Sequence, residues 1–170
     1  MSKQRLGSRC LLFLQLGSGV GFLFFLFLTG LYLGMLPPAL LSPLLVFWAL
    51  GEVLFALGMF CVYLMSREAK HAFAGLLLVA ASAFNLNQAL GLWPPGGLIE
   101  IAIQALAVVG VSLLFYELGR ARPGSGLEVA GGLIFLGVIF QIVRAPLMEA
   151  VGVVLLLIGF LIAATRLGRL

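Results

Sequence analysis

Nine of the ten basic residues in this chain gather in four short clusters, Lys3/Arg5/Arg9, Arg67/Lys70, Arg120/Arg122 and Arg166/Arg169. A pair of apolar segments lies between each cluster and the next. These segments, at about 10–36, 44–65, 72–93, 98–118, 127–143 and 147–165, are each long enough to cross a hydrocarbon core of about 30 Å. The connection inside each pair, around Pro37-Pro38, Pro94-Pro95 and Pro146, is short, contains proline and is nearly free of positive charge. Lys and Arg accumulate on the cytoplasmic side of membrane spans. The pattern therefore predicts an all-α polytopic membrane protein of six transmembrane helices, arranged as three helical hairpins, with both termini cytoplasmic. A multi-pass protein of the cell inner membrane is the expected setting.

Composition supports that solvent. A soluble chain is roughly half apolar and a quarter charged, whereas this one is 63% hydrophobic and 9% charged, with no Asp. The basic balance could suggest nucleic acid, but its distribution argues otherwise. Three glutamates (Glu68, Glu117, Glu128) accompany the nine clustered cations, while Arg144 stands with Glu52, Glu100 and Glu149 on the outer side or within the membrane. Such asymmetry reads as topology, with the lipid bilayer and its anionic headgroups as the counter-charge. No basic patch with stacking aromatics suits a nucleic acid. The first apolar run exceeds a signal-peptide core of about 7–15 residues and is expected to stay as a span. Cys10 and Cys61 both fall toward the inner side, where thiols stay reduced, so no structural disulfide is expected. Two cysteines and one distant histidine offer no metal site.

The loops are too short for a soluble domain, so the chain is read as a single membrane domain over 1–170, with hairpins at about 10–65, 72–118 and 127–165. Trp48 and Trp93 are placed toward the outer interface, and Tyr63 and Tyr116 at the inner ends. Internal matches suggest tandem repeats. Ala74-Gly75…Phe84-Asn85 matches Ala130-Gly131…Phe140-Gln141, and Glu100…Gly110…Leu118-Gly119-Arg120 matches Glu149…Gly159…Leu167-Gly168-Arg169. The offset shortens from 56 to 49 between the two matches, which places the deletion in the outer loop, where it is best tolerated. The first hairpin fits more loosely, through Leu33-Gly34-x-x-Pro37-Pro38 and Leu90-Gly91-x-x-Pro94-Pro95. Glycines at Gly17/Gly21, Gly30/Gly34, Gly51/Gly58 and Gly152/Gly159 would let helices approach closely. Packing inside the bundle is the simpler use, and a self-association face on the first helix the sharper one.

Ionisable and amide side chains inside a membrane need partners or a wet cavity. The main set is Glu52, Asn85, Asn87, Gln88, Glu100, Gln104, Gln141, Arg144 and Glu149. With the orientation above, all lie in the outer half, Glu52 and Asn85 about 12 Å below the boundary at about 1.5 Å per residue. A polar pocket open to the outside satisfies them. Glu52, Asn85, Gln88, Glu100, Gln104 and Gln141 are its candidate ligand-binding residues. A plain structural role weighs against each: Glu52 as a neutral carboxyl bonded to Asn85, the amides as helix-to-helix glue, and Arg144 with Glu149 as a headgroup-level ion pair. His71 is read as a solvated loop residue.

No span carries a lysine for a retinal Schiff base, one histidine cannot hold a bis-histidine haem, and no phosphate loop or Ser/His/Asp set is present. No catalytic residue, cofactor or metal is expected, and an enzyme is the least favoured class. The leading reading is a solute- or cation-binding transport subunit with a cavity open to the outer side. The alternative is a non-catalytic scaffold or accessory subunit of a larger membrane complex. Either would work with a membrane-protein partner or as a homo-oligomer. In size, span number and outward-facing polar pocket the chain is similar to the substrate-binding subunits of energy-coupling-factor vitamin transporters. That likeness is one of architecture and rests on no sequence motif.

Overall fold

The computed structural model describes residues 7–92, 97–143 and 145–169. Lys3, Arg5, residues 93–96 with the proline pair, and Arg144 lie outside the described residues. Six α-helices carry the chain: α1 Ser8–Tyr32, α2 Leu41–Ser66, α3 Ala69–Ala89, α4 Leu98–Ala121, α5 Leu127–Ile142 and α6 Pro146–Leu167. Among the described residues there is no strand. Five of the helices are long and apolar enough to cross a membrane. The exception, α5, has 16 residues and reaches about 24 Å at about 1.5 Å per residue, short of a typical hydrocarbon core. Proline sets that limit: Ala145 is extended (φ −97°, ψ 130°) before Pro146 opens α6, as the residue preceding a proline must avoid the helical region.

Local signals end the helices as the sequence suggests. After α1, Gly34 adopts φ +69°, and Met35 N–H returns to Gly30 O while Gly34 N–H returns to Leu31 O. The match at Leu90-Gly91 repeats this closure, with Gly91 at φ +66° and bonds from Leu92 N–H to Asn87 O and Gly91 N–H to Gln88 O. A left-handed glycine caps a helix C-terminus without the steric penalty of a Cβ.

The helices form a closed ring. Each packs against its sequence neighbours, and α1 closes the circle against α6. The joint between α3 and α4 is the loosest of the six. Small residues set the close approaches, and they do so within the bundle. A Cβ on Gly17 would lie 3.0 Å from the Phe55 ring, and one on Gly21 3.0 Å from Phe160. Gly17 and Gly21 are thus buried in the ring and do not form an outer face for self-association. Positions related by the sequence match make related contacts: Gly110 lies against Ala74, and Gly159 against Ala130.

Outward faces are apolar on every helix; Leu16, Leu50, Leu76, Leu113, Phe135 and Leu161 are all exposed. Such a continuous surface would aggregate in water and suits lipid. The molecule is an apolar helical bundle of the kind that forms a multi-pass integral membrane protein.

Three expectations are corrected. Trp48 does not present its ring outward; it is buried at 6% exposure and stacks on Phe24 at a centroid distance of 5.0 Å. Its indole N–H faces the Glu52 carboxyl one turn along α2, which removes the usual cost of burying it. Cys10 and Cys61 form a disulfide with Cα atoms 5.4 Å apart. Redox compartment says nothing about distance, and the register of the α1–α2 hairpin brings the two together. Cys10 is 1% exposed, which shields the bond from soluble thiols. His71 is not a solvated loop residue: it lies in the first turn of α3 and is 3% exposed.

Candidate functional site: a polar cavity at the proline-loop end of the ring

The proline-loop end of the ring encloses a cavity of about 540 Å³ to which all six helices contribute. Its wall is aromatic on one side, with Phe24, Phe25 and Tyr32 from α1 and Trp48 from α2. Its polar side carries Glu52 from α2, Asn85 and Gln88 from α3, Gln104 from α4, Gln141 from α5 and Glu149 from α6. Beneath it, one to two turns further along their helices, Phe55, Phe115 and Phe160 form a floor with no accessible surface. The Phe55 ring centroid lies 6.1 Å from that of Phe115 and 5.7 Å from that of Phe160.

Helix periodicity explains who faces inward. On α4, Ile101, Gln104, Ala105 and Val108 line the cavity, a stripe at the three- and four-residue spacing of one helix face. On α2, Leu45, Trp48 and Glu52 follow the same rule.

The polar wall is a directed chain. Gln104 Nε2 donates to Asn85 Oδ1 at 3.1 Å, and Asn85 Nδ2 donates to Glu52 Oε2 at 2.8 Å. Glu52 and Asn85 are 1% and 2% exposed, so the chain ends on a buried carboxyl group. On the opposite hairpin, Gln141 Nε2 donates to the Glu149 backbone O at 2.8 Å. Two of the lining residues are acidic, and among the described residues lining the cavity none is basic. An enclosure of this kind attracts positive charge and offers directional amide bonds, with aromatic faces available for cation–π contact.

Of the six residues anticipated, Glu52, Asn85, Gln88, Gln104 and Gln141 meet at one cavity. Glu100 is not among its lining; Ile101 takes the inward position in that turn of α4. Two lining residues with polar groups were not among the anticipated site residues. Glu149 was assigned to an ion pair with Arg144, which lies outside the described residues, and Tyr32 was not singled out.

Polar chemistry at the other end of the ring differs in kind. There Lys70 bridges Glu68 at 2.8 Å and Glu117 at 2.5 Å. The hydrogen bond from Lys70 holds the Glu68 carboxyl below its ordinary pKa. The Lys70–Glu117 pair ties α3 to α4 at the joint that is otherwise the loosest.

No family model, curated protein or solved structure matches this chain.

Proposed function

We propose that the protein is a membrane-embedded binding subunit for a small positively charged solute, admitted from the outer side and held against Glu52. The observation that carries this reading is the buried Glu52–Asn85–Gln104 chain facing a cavity whose described lining includes acids and no base. The cavity volume falls within the range usual for small-molecule sites. An accessory subunit that docked through its polar residues would carry them on outward faces, but those faces are apolar here.

In this reading all six helices span the bilayer, with both termini inside as the basic clusters require. The short α5 is accommodated by local thinning of the bilayer, at a modest cost. The last two hairpins are copies of one unit, which the shared Gly110–Ala74 and Gly159–Ala130 packing supports. Thiols introduced at Leu41 and Ser66 should then label from opposite sides, Leu41 from outside intact cells; the reverse pattern would sink the orientation.

Glu52 is the direct test. Purified in mild detergent, the wild-type protein should retain a small non-lipid adduct by native mass spectrometry, or gain thermal stability from members of a panel of amines and inorganic cations. Glu52→Gln should abolish that response and leave the fold intact, because the amide can still accept from Asn85. Glu52→Leu should also cost stability, about 1–3 kcal/mol for the abandoned Asn85 donor. A wild-type response preserved in Glu52→Gln would refute the assignment.

A further inference from the structure

The inner ends of α3 and α4 hold a second polar group that the cavity does not use. Glu68 caps α3, His71 follows in its first turn, and Glu117 lies across the joint on α4. One donor atom from each can be chosen so that all three lie within 4.8 Å of one another. Two atoms of this group are orphans: His71 Nε2 and Glu117 Oε2 are buried and have no hydrogen-bond partner among the described residues. His71 is 3% exposed, and the nearest carboxylate oxygen, Glu68 Oε2, stands 3.6 Å from its Nε2, beyond hydrogen-bond range. Lys70 takes Glu117 Oε1 and leaves Oε2 unused. A buried polar atom without a partner costs free energy, and here two of them belong to good metal ligands on either side of one joint.

We propose that Glu68, His71 and Glu117 bind a divalent first-row transition-metal ion, with Zn²⁺ as the reference case. His71 Nε2 and one oxygen from each carboxylate supply three protein ligands, and water completes the coordination. One imidazole and two carboxylates is a donor set that suits such ions. A Glu-x-x-His pair on one helix joined by a Glu from another is a way helical bundles hold them. A tetrahedral ion requires its donors to draw in to about 3.3 Å of one another, given bond lengths of about 2.0 Å. The carboxylates can do this, because the Glu68 and Glu117 side chains are 38% and 30% exposed and free to adjust. Lys70 is then the resident cation that the metal must compete with. The bound ion would pin α3 to α4 at the ring's loosest joint.

The experiment is calorimetric titration of the chelator-treated, full-length protein in detergent with Zn²⁺, under non-reducing conditions so that the cysteines stay paired. One saturable site per chain is expected, with a rise in melting temperature. Glu117→Gln and His71→Ala should each weaken it more than about a hundredfold, beyond what loss of a merely supporting group costs. Lys70→Met should tighten it about tenfold, by removing a charge that repels the ion. Glu117→Gln keeps the side-chain volume and can still accept from Lys70, so loss of the Zn²⁺ response with an apo melting temperature lowered by no more than an exposed ion pair costs separates ligation from misfolding. No saturable Zn²⁺ site, an unchanged site in both ligand variants, or an equal response to Mg²⁺ would overturn the proposal. A Lys70→Met variant that binds more weakly would do so too, since the ammonium would then be supporting the site.

Discussion

The two ends of the ring are built from the same six helices and the same apolar alphabet, yet one is hollow and the other is filled. At the proline-loop end the inward positions carry long polar or aromatic side chains, and they line a cavity. At the opposite end the inward positions are Leu14, Met59, Val62, Leu78, Leu114, Leu118, Leu127 and Ile134, all buried. The difference lies also in how closely backbones meet. On α4 and α5, a Cβ at Gly119 would collide with the backbone of Glu128, and one at Gly131 would lie 2.6 Å from Ser112 O. The Ser112 hydroxyl donates to Gly131 O at 2.8 Å across the same contact. Small residues that let two backbones touch seal a bundle, and large polar residues that need partners hold it open. In lipid this matters more than in water, because dispersion and polar contacts rather than hydrophobic burial drive helix association.

That contrast can be broken at its boundary. Phe115 belongs to the floor between the two regions, and Phe115→Ala should cost about 4 kcal/mol, the range for removing a fully buried ring. Unfolding in a denaturing detergent series would read it, and a loss below about 1 kcal/mol would show the floor to be loosely packed. The next effect is smaller and sharper. Gly131→Ala should destabilise by about 3 kcal/mol, because the new methyl meets backbone that cannot move aside. Its neighbour Gly132 has nothing within 4 Å of a Cβ, and Gly132→Ala should gain about 0.5–1 kcal/mol, as expected for a helix-interior glycine. If the adjacent pair behaved alike, the seal at the filled end would not depend on backbone contact.

The sequence was most readable along the membrane normal and least readable around the helix axes. Depth follows from counting residues from the basic clusters and prolines, and counting alone put Glu52 and Asn85 level, as their hydrogen bond requires. Rotation needs an amphipathic stripe, and these helices are apolar on lipid and core faces alike, so little marks which side turns inward. Nothing in the sequence therefore marks that the Trp48 ring turns into the bundle, or that Ile101 rather than Glu100 faces the cavity. The burial of His71 was hidden for a related cause. Its flanking charges suggested water, but Lys70 spends its donors on Glu68 and Glu117 and the imidazole folds beneath them. The disulfide depends on the register of one hairpin, which no single-helix argument supplies.

The closure of α1 against α6 has a consequence for the order of events during synthesis. Gly21 rests on Phe160, and the Phe25 ring lies parallel to it at 5.7 Å, so α1 completes its surroundings only when α6 arrives. Contacts between segments far apart in sequence are slow to form because the intervening chain must be ordered first. Until then the α1–α2 hairpin carries an aromatic face without its α6 partner. A lesion on the Phe160 face of α6 would therefore appear as failed assembly of helices that had already inserted.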